Sequence, residues 1–128
     1  MKKIVVNSKN APKAIGPYSQ AIKIGNLVFT SGQIPIDPIK NEFIDDTCER
    51  QTEIVLNNLK AVLVEAGASL KSVIKTTVFL KNMQDFSAMN SIYERYFPEN
   101  SPARSTIEVA GLPKGAKVEI EAIAEIEE

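Results

Sequence analysis

Histidine is missing from this 128-residue chain altogether. Its absence excludes Ser-His-Asp and Cys-His catalysis, and with them most zinc and transition-metal sites, which depend on imidazole. Any acid–base work falls to carboxylates, tyrosines, lysines, backbone groups or bound water. Cysteine occurs once, as Cys48, so no internal disulfide can form and a reducing compartment is compatible. Charge of one sign is lacking too: 15 basic residues face 16 acidic ones for a net charge of −1, with no run of lysines or arginines. That leaves no basic stripe for nucleic acid. No apolar run reaches the length of a membrane span, and the N-terminus lacks a signal-peptide core. The expectation is a cytoplasmic protein with no nucleic-acid and no membrane partner.

What is present reads as one domain over residues 1–128, with 44% hydrophobic and 24% charged residues, the proportions of a soluble globular fold. Strand signals come first. Lys3–Val6 reads as an edge strand, and Ala21–Ile24 and Leu27–Ser31 read as a hairpin across Gly25-Asn26. A loop with Pro35, Pro38 and Asn41 follows, with a brief strand near Phe43 and Ile44. Asp46 and Glu49 have the spacing of a capping box, opening a helix of about 20 residues that ends at Gly67. Its apolar stripe is Cys48, Val55, Leu59, Val62, Leu63 and Ala66. Cys48, lying on that stripe, is a small core residue and not a nucleophile.

Val73–Lys81 alternates as a strand, with Ile74, Thr76, Val78 and Leu80 opposite Val73, Lys75, Thr77 and Phe79. Asn82 and Asp85 repeat the capping pattern ahead of a second helical stripe, Phe86, Met89, Tyr93, Tyr96 and Phe97, closed by Pro98. Lys117–Ile126 is the cleanest alternation, with Val118, Ile120, Ala122, Ala124 and Ile126 against Glu119, Glu121, Ile123 and Glu125. The order β-β-β-α-β-α-β-β supplies two helices for about six strands, an α+β class with both helices packed on one face of a mixed sheet. Phe79 and Ile123 make the other face too apolar to stay wet, which predicts self-association through it.

The most informative stretch runs from Ser101 to Val109. Pro102 forbids continuation of the preceding helix and pushes its neighbours towards extended geometry. Thr106, Ile107 and Val109 then continue as a strand. Arg104, Thr106 and Glu108 share one face; Ala103, Ser105, Ile107 and Val109 share the other. A planar, permanently charged fork at the start of a strand, beside backbone N–H groups not yet committed to a ladder, suits a small carboxylate. The alternative is an ion pair with Glu108 or Glu119. Asn90 falls between Phe86 and Tyr93 on the apolar side of the second helix. An amide there must find partners, either in a neighbouring loop or in a ligand.

Four separated segments carry a resemblance. They are Ile15-Gly16-Pro17-Tyr18-Ser19-Gln20, Val28-Phe29-Thr30-Ser31-Gly32-Gln33, Pro102-Ala103-Arg104-Ser105, and Leu112-Pro113-Lys114 with Val118-Glu119-Ile120-Glu121-Ala122. In order and spacing the chain resembles the reactive intermediate deaminases, the Rid or YjgF proteins, and most of all their RidA subgroup, over essentially its whole length. The resemblance implies a chorismate-mutase-like fold and homotrimers with ligand sites in the clefts between subunits. It also implies a 2-iminobutanoate/2-iminopropanoate deaminase, a hydrolase acting on C=N bonds. Such an enzyme turns 2-imino acids, formed from enamines such as 2-aminoacrylate and 2-aminocrotonate, into 2-keto acids and ammonia. This is metabolite damage control, with no metal and no organic cofactor.

The resemblance assigns roles as well. Arg104 holds the substrate carboxylate bidentately, helped by the backbone N–H of Thr106. Tyr18, Ser31 and Gly32 line the cleft, Asn90 supports it, and Glu119 positions or activates the attacking water. Glu119, Arg104 and Tyr18 are the expected catalytic groups. Many RidA proteins carry a cysteine where this chain has Thr106. Because the implied role there belongs to the backbone amide, anion binding is expected to survive the exchange, whereas thiol-based redox control is not. Gly16 and Pro17 shape the loop that presents Tyr18. The alternative class is a non-catalytic regulatory protein that binds a small carboxylate with the same clamp. Ribonuclease activity, also attached to the family, is disfavoured by the missing histidine and basic patch.

Overall fold

Two glycines at positive φ set the ends of elements that hydrophobic patterning alone leaves open. Gly25, at φ 57°, turns the chain between Ile24 and Leu27, which pair directly across the hairpin. Gly67, at φ 88°, ends the first helix. Ala68 N–H bonds to the Leu63 carbonyl at 2.8 Å and Gly67 N–H to that of Val64 at 3.1 Å, so two carbonyls of the last turn find partners. The computed structural model describes residues 1–127. The strands are β1 (Ile4–Val6), β2 (Ala21–Ile24), β3 (Leu27–Thr30), β4 (Val73–Leu80), β5 (Ala103–Glu108) and β6 (Val118–Glu125). The helices are α1 (Cys48–Glu65) and α2 (Phe86–Tyr96).

The strands form one mixed sheet in the order β1-β2-β3-β6-β4-β5. Only β4 and β5 run parallel, joined by a crossover through α2; the other neighbours are antiparallel. Both helices cover the same face. Leu56, Leu59 and Leu63 of α1 and Met89 of α2 are fully enclosed against Val78, Leu80, Val118 and Ile120 of the sheet. Each such side chain contributes roughly 1.5–3 kcal/mol on leaving water. The α+β class, the mixed six-stranded sheet and the one-sided helices agree with the sequence reading. No helix among the described residues is long and apolar enough to cross a membrane.

Several expected details differ. The cap of α1 is Thr47, whose hydroxyl accepts the Arg50 N–H at 3.2 Å, while the Asp46 carboxylate accepts the Thr47 N–H and caps no helix amide. Both residue types cap well, and the backbone placed the boundary one residue later. Asn82 caps a short 3₁₀ turn, Met83–Asp85, before α2 begins, and Asp85 makes no capping bond with its side chain. Phe43 forms a single bridge with Ile36, not a strand. In β4 the pairing with β6 steps from Val73↔Ala124 to Lys75↔Ile123, so Ile74 is an extra residue. This bulge inverts the alternation: Val73 is buried with Thr76, Val78 and Leu80, and Ile74 is left 51% exposed.

Buried amides fasten the loops. Gln51 of α1 donates to the Ile44 carbonyl and accepts the Lys117 N–H, both at 2.9 Å, and Asn58 donates to the Ile36 carbonyl at 2.8 Å. Gln20 accepts the Ser8 N–H at 2.6 Å and donates to the Pro12 carbonyl at 2.8 Å, pinning the loop that leads to Tyr18. Cys48 lies buried in the first turn of α1, where burial pushes its thiol up to about 11.

Candidate functional site

Arg104 stands opposite Thr76 in the parallel β4–β5 pairing and therefore points to the helix-covered side of the sheet. Its guanidinium carbon lies 4.8 Å from the centre of the Tyr93 ring and 5.5 Å from that of Phe86, both on α2. Contacts of this kind are worth about 0.5–2 kcal/mol and fix the plane of the fork. Nη1 donates to Asn90 Oδ1 at 2.7 Å. The Tyr93 ring is anchored in turn by its hydroxyl, 2.7 Å from Thr76 Oγ1, and by Phe97, whose ring centre is 4.6 Å away. The expected ion-pair partners are elsewhere: Glu108 accepts the Met83 N–H at 2.8 Å, and Glu119 is on the other face. Among the described residues no carboxylate neutralises Arg104. A cavity of about 400 Å³ opens beside it, lined by Asn90, Tyr93, Phe97 and Ser101 among others.

Glu119 pairs with Phe79 across β6 and β4 on the helix-free face, as the alternation of β6 indicated. Gly32 packs against its carboxylate so closely that a Cβ there would lie 2.0 Å from Oε2. The approach is held by the backbone, since Gln33 and Ile120 exchange N–H···O bonds of 2.9 and 3.2 Å. Burial, with the nearby Glu121 as the lesser cause, raises the Glu119 carboxyl above the usual carboxylate range. Ser31 donates its hydroxyl to the Ser19 carbonyl and its N–H to the Gln20 carbonyl, which ties the Tyr18 loop to the end of β3. Tyr18 itself is 53% exposed, with its hydroxyl 3.4 Å from Ile15 N–H, and borders a second cleft of about 570 Å³.

The residues singled out from the sequence thus form two groups. Arg104, Asn90 and Thr106 gather on edge strand β5 and α2; Glu119, Gly32 and Ser31, with Tyr18 near by, gather around β3 and β6. A single chain does not join them. The helix-free face between and around them carries Phe79, Ile123, Phe29 and Ile107, the last two 40% and 43% exposed.

A family model described as Endoribonuclease L-PSP matches residues 8–126. The chain belongs to this family, the Rid proteins. It is 52% identical over 124 residues to Reactive Intermediate Deaminase A, chloroplastic, of Arabidopsis thaliana, covering 97% of this chain and 66% of that one. A RutC family protein of Pyrococcus abyssi is 53% identical over 124 residues, 97% of this chain and 98% of that one. Among solved structures, Escherichia coli TdcF with bound serine superposes with a TM-score of 0.92 at 43% identity, covering 97% of this chain and 99% of that one.

Two residues of this Rid protein that surround Arg104 escaped the sequence reading. Phe86 and Tyr93 stood only as members of an apolar stripe, yet their ring faces hold the guanidinium. The signal was their spacing from Asn90, four residues before and three after, which puts all three on one face of α2. Arg104 is thus oriented on three sides and, among the described residues, unpaired with an acid.

Proposed function

We propose that the protein hydrolyses 2-imino acids to 2-keto acids and ammonia, at sites completed between subunits of a homotrimer. The observation that carries this reading is the Arg104 guanidinium, held by two rings and one amide with, among the described residues, no carboxylate on it. Such a fork grips a carboxylate through two parallel N–H···O bonds, and the backbone N–H of Thr106 stands beside it as a further donor. The Arabidopsis relative is named a deaminase, and the serine in TdcF is a small amino acid with the same α-carboxylate; both favour this substrate class.

With the carboxylate held, C2 of the protonated imine is already electrophilic, so positioning and one proton-handling group suffice. That group is Glu119 of a neighbouring subunit. Its carboxylate takes a proton from water as the oxygen bonds to C2. The proton then passes to the nitrogen, the C2–N bond breaks as the hydroxyl proton returns to Glu119, and ammonia departs from the 2-keto acid. A raised pKa suits both halves of this exchange. Gly32, lacking a side chain, leaves the carboxylate its place; Tyr18 and Ser31 border the cleft. The apolar helix-free face supplies the surface on which the copies meet.

The test is a coupled assay. A dehydratase generates 2-aminoacrylate or 2-aminocrotonate, semicarbazide traps the imine, and semicarbazone formation is followed with and without the protein. Suppressed trapping that disappears in Arg104→Ala, with the assembly intact, is the expected result. Trapping unaffected by the wild-type protein overturns the reading and turns the clamp into that of a carboxylate-binding regulator.

A further inference from the structure

The near-neutral charge of the chain hides a segregation. Lys2, Lys3, Lys9, Lys13, Lys23 and Lys40 fall within the first 41 residues, where Asp37 is the one acid. The fold keeps this segment together, as β1 and β2 at one edge of the sheet with the loops around them. Lys13 N–H bonds to Asn41 Oδ1 at 3.3 Å, which draws the loop that carries Lys40 up to the loop that carries Lys9 and Lys13. Asp37 turns its Oδ1 to the N–H groups of Ile39 and Lys40, at 2.8 and 2.9 Å. Among the described residues none of the six lysines makes an ion pair.

The cleft of about 570 Å³ that Tyr18 borders opens inside this basic segment. Such a volume takes a small organic molecule. Val5, Val6, Ala11, Ala14 and Pro38 give it an apolar wall, the exposed Lys9 and Lys13 stand at its rim, and among the described residues no acid lines it. Ser8 lines it too and is only 3% exposed. Its hydroxyl accepts the Asn10 N–H at 3.1 Å and, among the described residues, donates to no acceptor. A buried O–H without an acceptor is a cost that a ligand oxygen removes. The wall is fixed in advance, because the buried Gln20 bonds to both the N–H and the carbonyl of Ser8 and to the Pro12 carbonyl. A ligand entering it therefore has little loop to order.

We propose that this cleft is a second ligand site for a small organic phosphate, a monoester whose apolar body lies on the valine and proline wall while its phosphate meets Lys9, Lys13 and the Ser8 hydroxyl. A carboxylate brings one charge and two oxygens. A phosphate monoester brings close to two charges and three oxygens, which matches two ammonium groups and one hydroxyl. Lysine serves here as a point charge, with no need of the fork that a planar carboxylate favours. Arg104 stands on β5, at the opposite edge of the same sheet, so within one chain the two sites do not overlap. The inference is independent of the deaminase reading.

The experiment is a calorimetric titration of the full-length protein in phosphate-free buffer at about pH 7.5, where a monoester is close to doubly charged. The probes are phenyl phosphate, inorganic phosphate and phenol. Phenyl phosphate is expected to bind once per chain and about tenfold or more tighter than inorganic phosphate, since its ring adds apolar burial. Phenol, lacking the anion, is expected to bind too weakly to measure. Binding should persist in excess 2-oxobutanoate, which occupies Arg104 under the reading above. Lys9→Ala with Lys13→Ala is expected to weaken it about tenfold or more, and Ser8→Ala by about tenfold, each losing hydrogen bonds to a charged group. Tm is measured for each variant; the lysines are exposed, so their double variant keeps the test open where Ser8→Ala disturbs the loop. Unchanged affinity in the double lysine variant overturns the site. Inorganic phosphate binding as tightly as phenyl phosphate reduces the cleft to a patch of positive charge and overturns it as well. Displacement by 2-oxobutanoate puts the anion at Arg104 and has the same consequence, whereas failure of the deaminase assay leaves all these results untouched.

Discussion

Arg104 and Glu119 project from opposite faces of one sheet, on the two strands that flank β4. A carboxylate gripped by the first cannot offer its C2 atom to the second within the same chain. A catalytic site that uses both takes each from a different copy. Arg104→Ala and Glu119→Gln should therefore be inactive alone and regain activity when co-assembled from unfolded chains. Random mixing of equal amounts restores about one quarter of the sites, because each site draws its two halves independently from a symmetric assembly. Semicarbazide trapping reads the recovery, and none at all would mean that one chain supplies both groups.

Gly32→Ala probes the packing against Glu119. A Cβ at 2.0 Å from Oε2 forces the carboxylate aside, and the side chain is flexible enough to move without breaking the fold. The expected result is a nearly unchanged Tm with kcat lowered by about 10²-fold, the penalty of displacing a reacting group by an ångström. Thermal unfolding and steady-state kinetics on the same preparation separate the two effects.

Burial, and to a lesser degree Glu121, holds the Glu119 carboxyl above its usual value of 4.5. A carboxyl raised by folding is penalised when charged. The penalty is absent below the ordinary value, grows as pH climbs to the folded one, and is constant above. Glu119→Gln is thus expected to gain stability over wild type as pH rises through that window, and to match it in acid. For activity the base must be ionised, so the acid limb of kcat/KM should lie above 4.5 and move down in Glu121→Gln. A limb indifferent to Glu121→Gln would falsify the assignment of Glu119 as the titrating group.

Tyr93→Phe keeps the ring under Arg104 and removes its anchor. The buried Thr76 hydroxyl loses its 2.7 Å partner, a loss of about 1–3 kcal/mol in unfolding free energy. Adding Thr76→Val removes the stranded group, and denaturant unfolding should show most of the stability returning in the double variant. A single variant as stable as wild type would show that the ring is held by packing alone.

What the sequence made legible was local. The turns at Gly25 and Gly67 and the alternation of β6 depend on neighbours within a few residues, and they stand as read. The bulge at Ile74 was hidden because Val73, Ile74 and Val78 are all β-branched and apolar; only the partner strand decides which of them is the extra residue. Thr47 displaced Asp46 as the cap for a similar reason, two good capping residues lying side by side. The surroundings of Arg104 needed non-local knowledge. Phe86, Asn90 and Tyr93 share a helical face by spacing, but the crossover that lays that face over β5 comes from the pairing of β4 with β5. The opposed directions of Arg104 and Glu119 were equally out of reach, since alternation phases each strand separately and β5, at the sheet edge, has no fully buried residue to reveal its phase.

The placement of Cys48 has a chemical consequence. Protonated 2-imino acids are electrophilic at C2 and add to soft nucleophiles, and the thiolate is the softest a protein offers. This chain has one thiol, buried at the start of α1 and pushed up to about 11, so at neutral pH roughly one molecule in ten thousand carries it ionised. Under the proposed activity the protein works in a stream of such electrophiles with its one thiol withheld from them. Its softest nucleophile is shut inside its core.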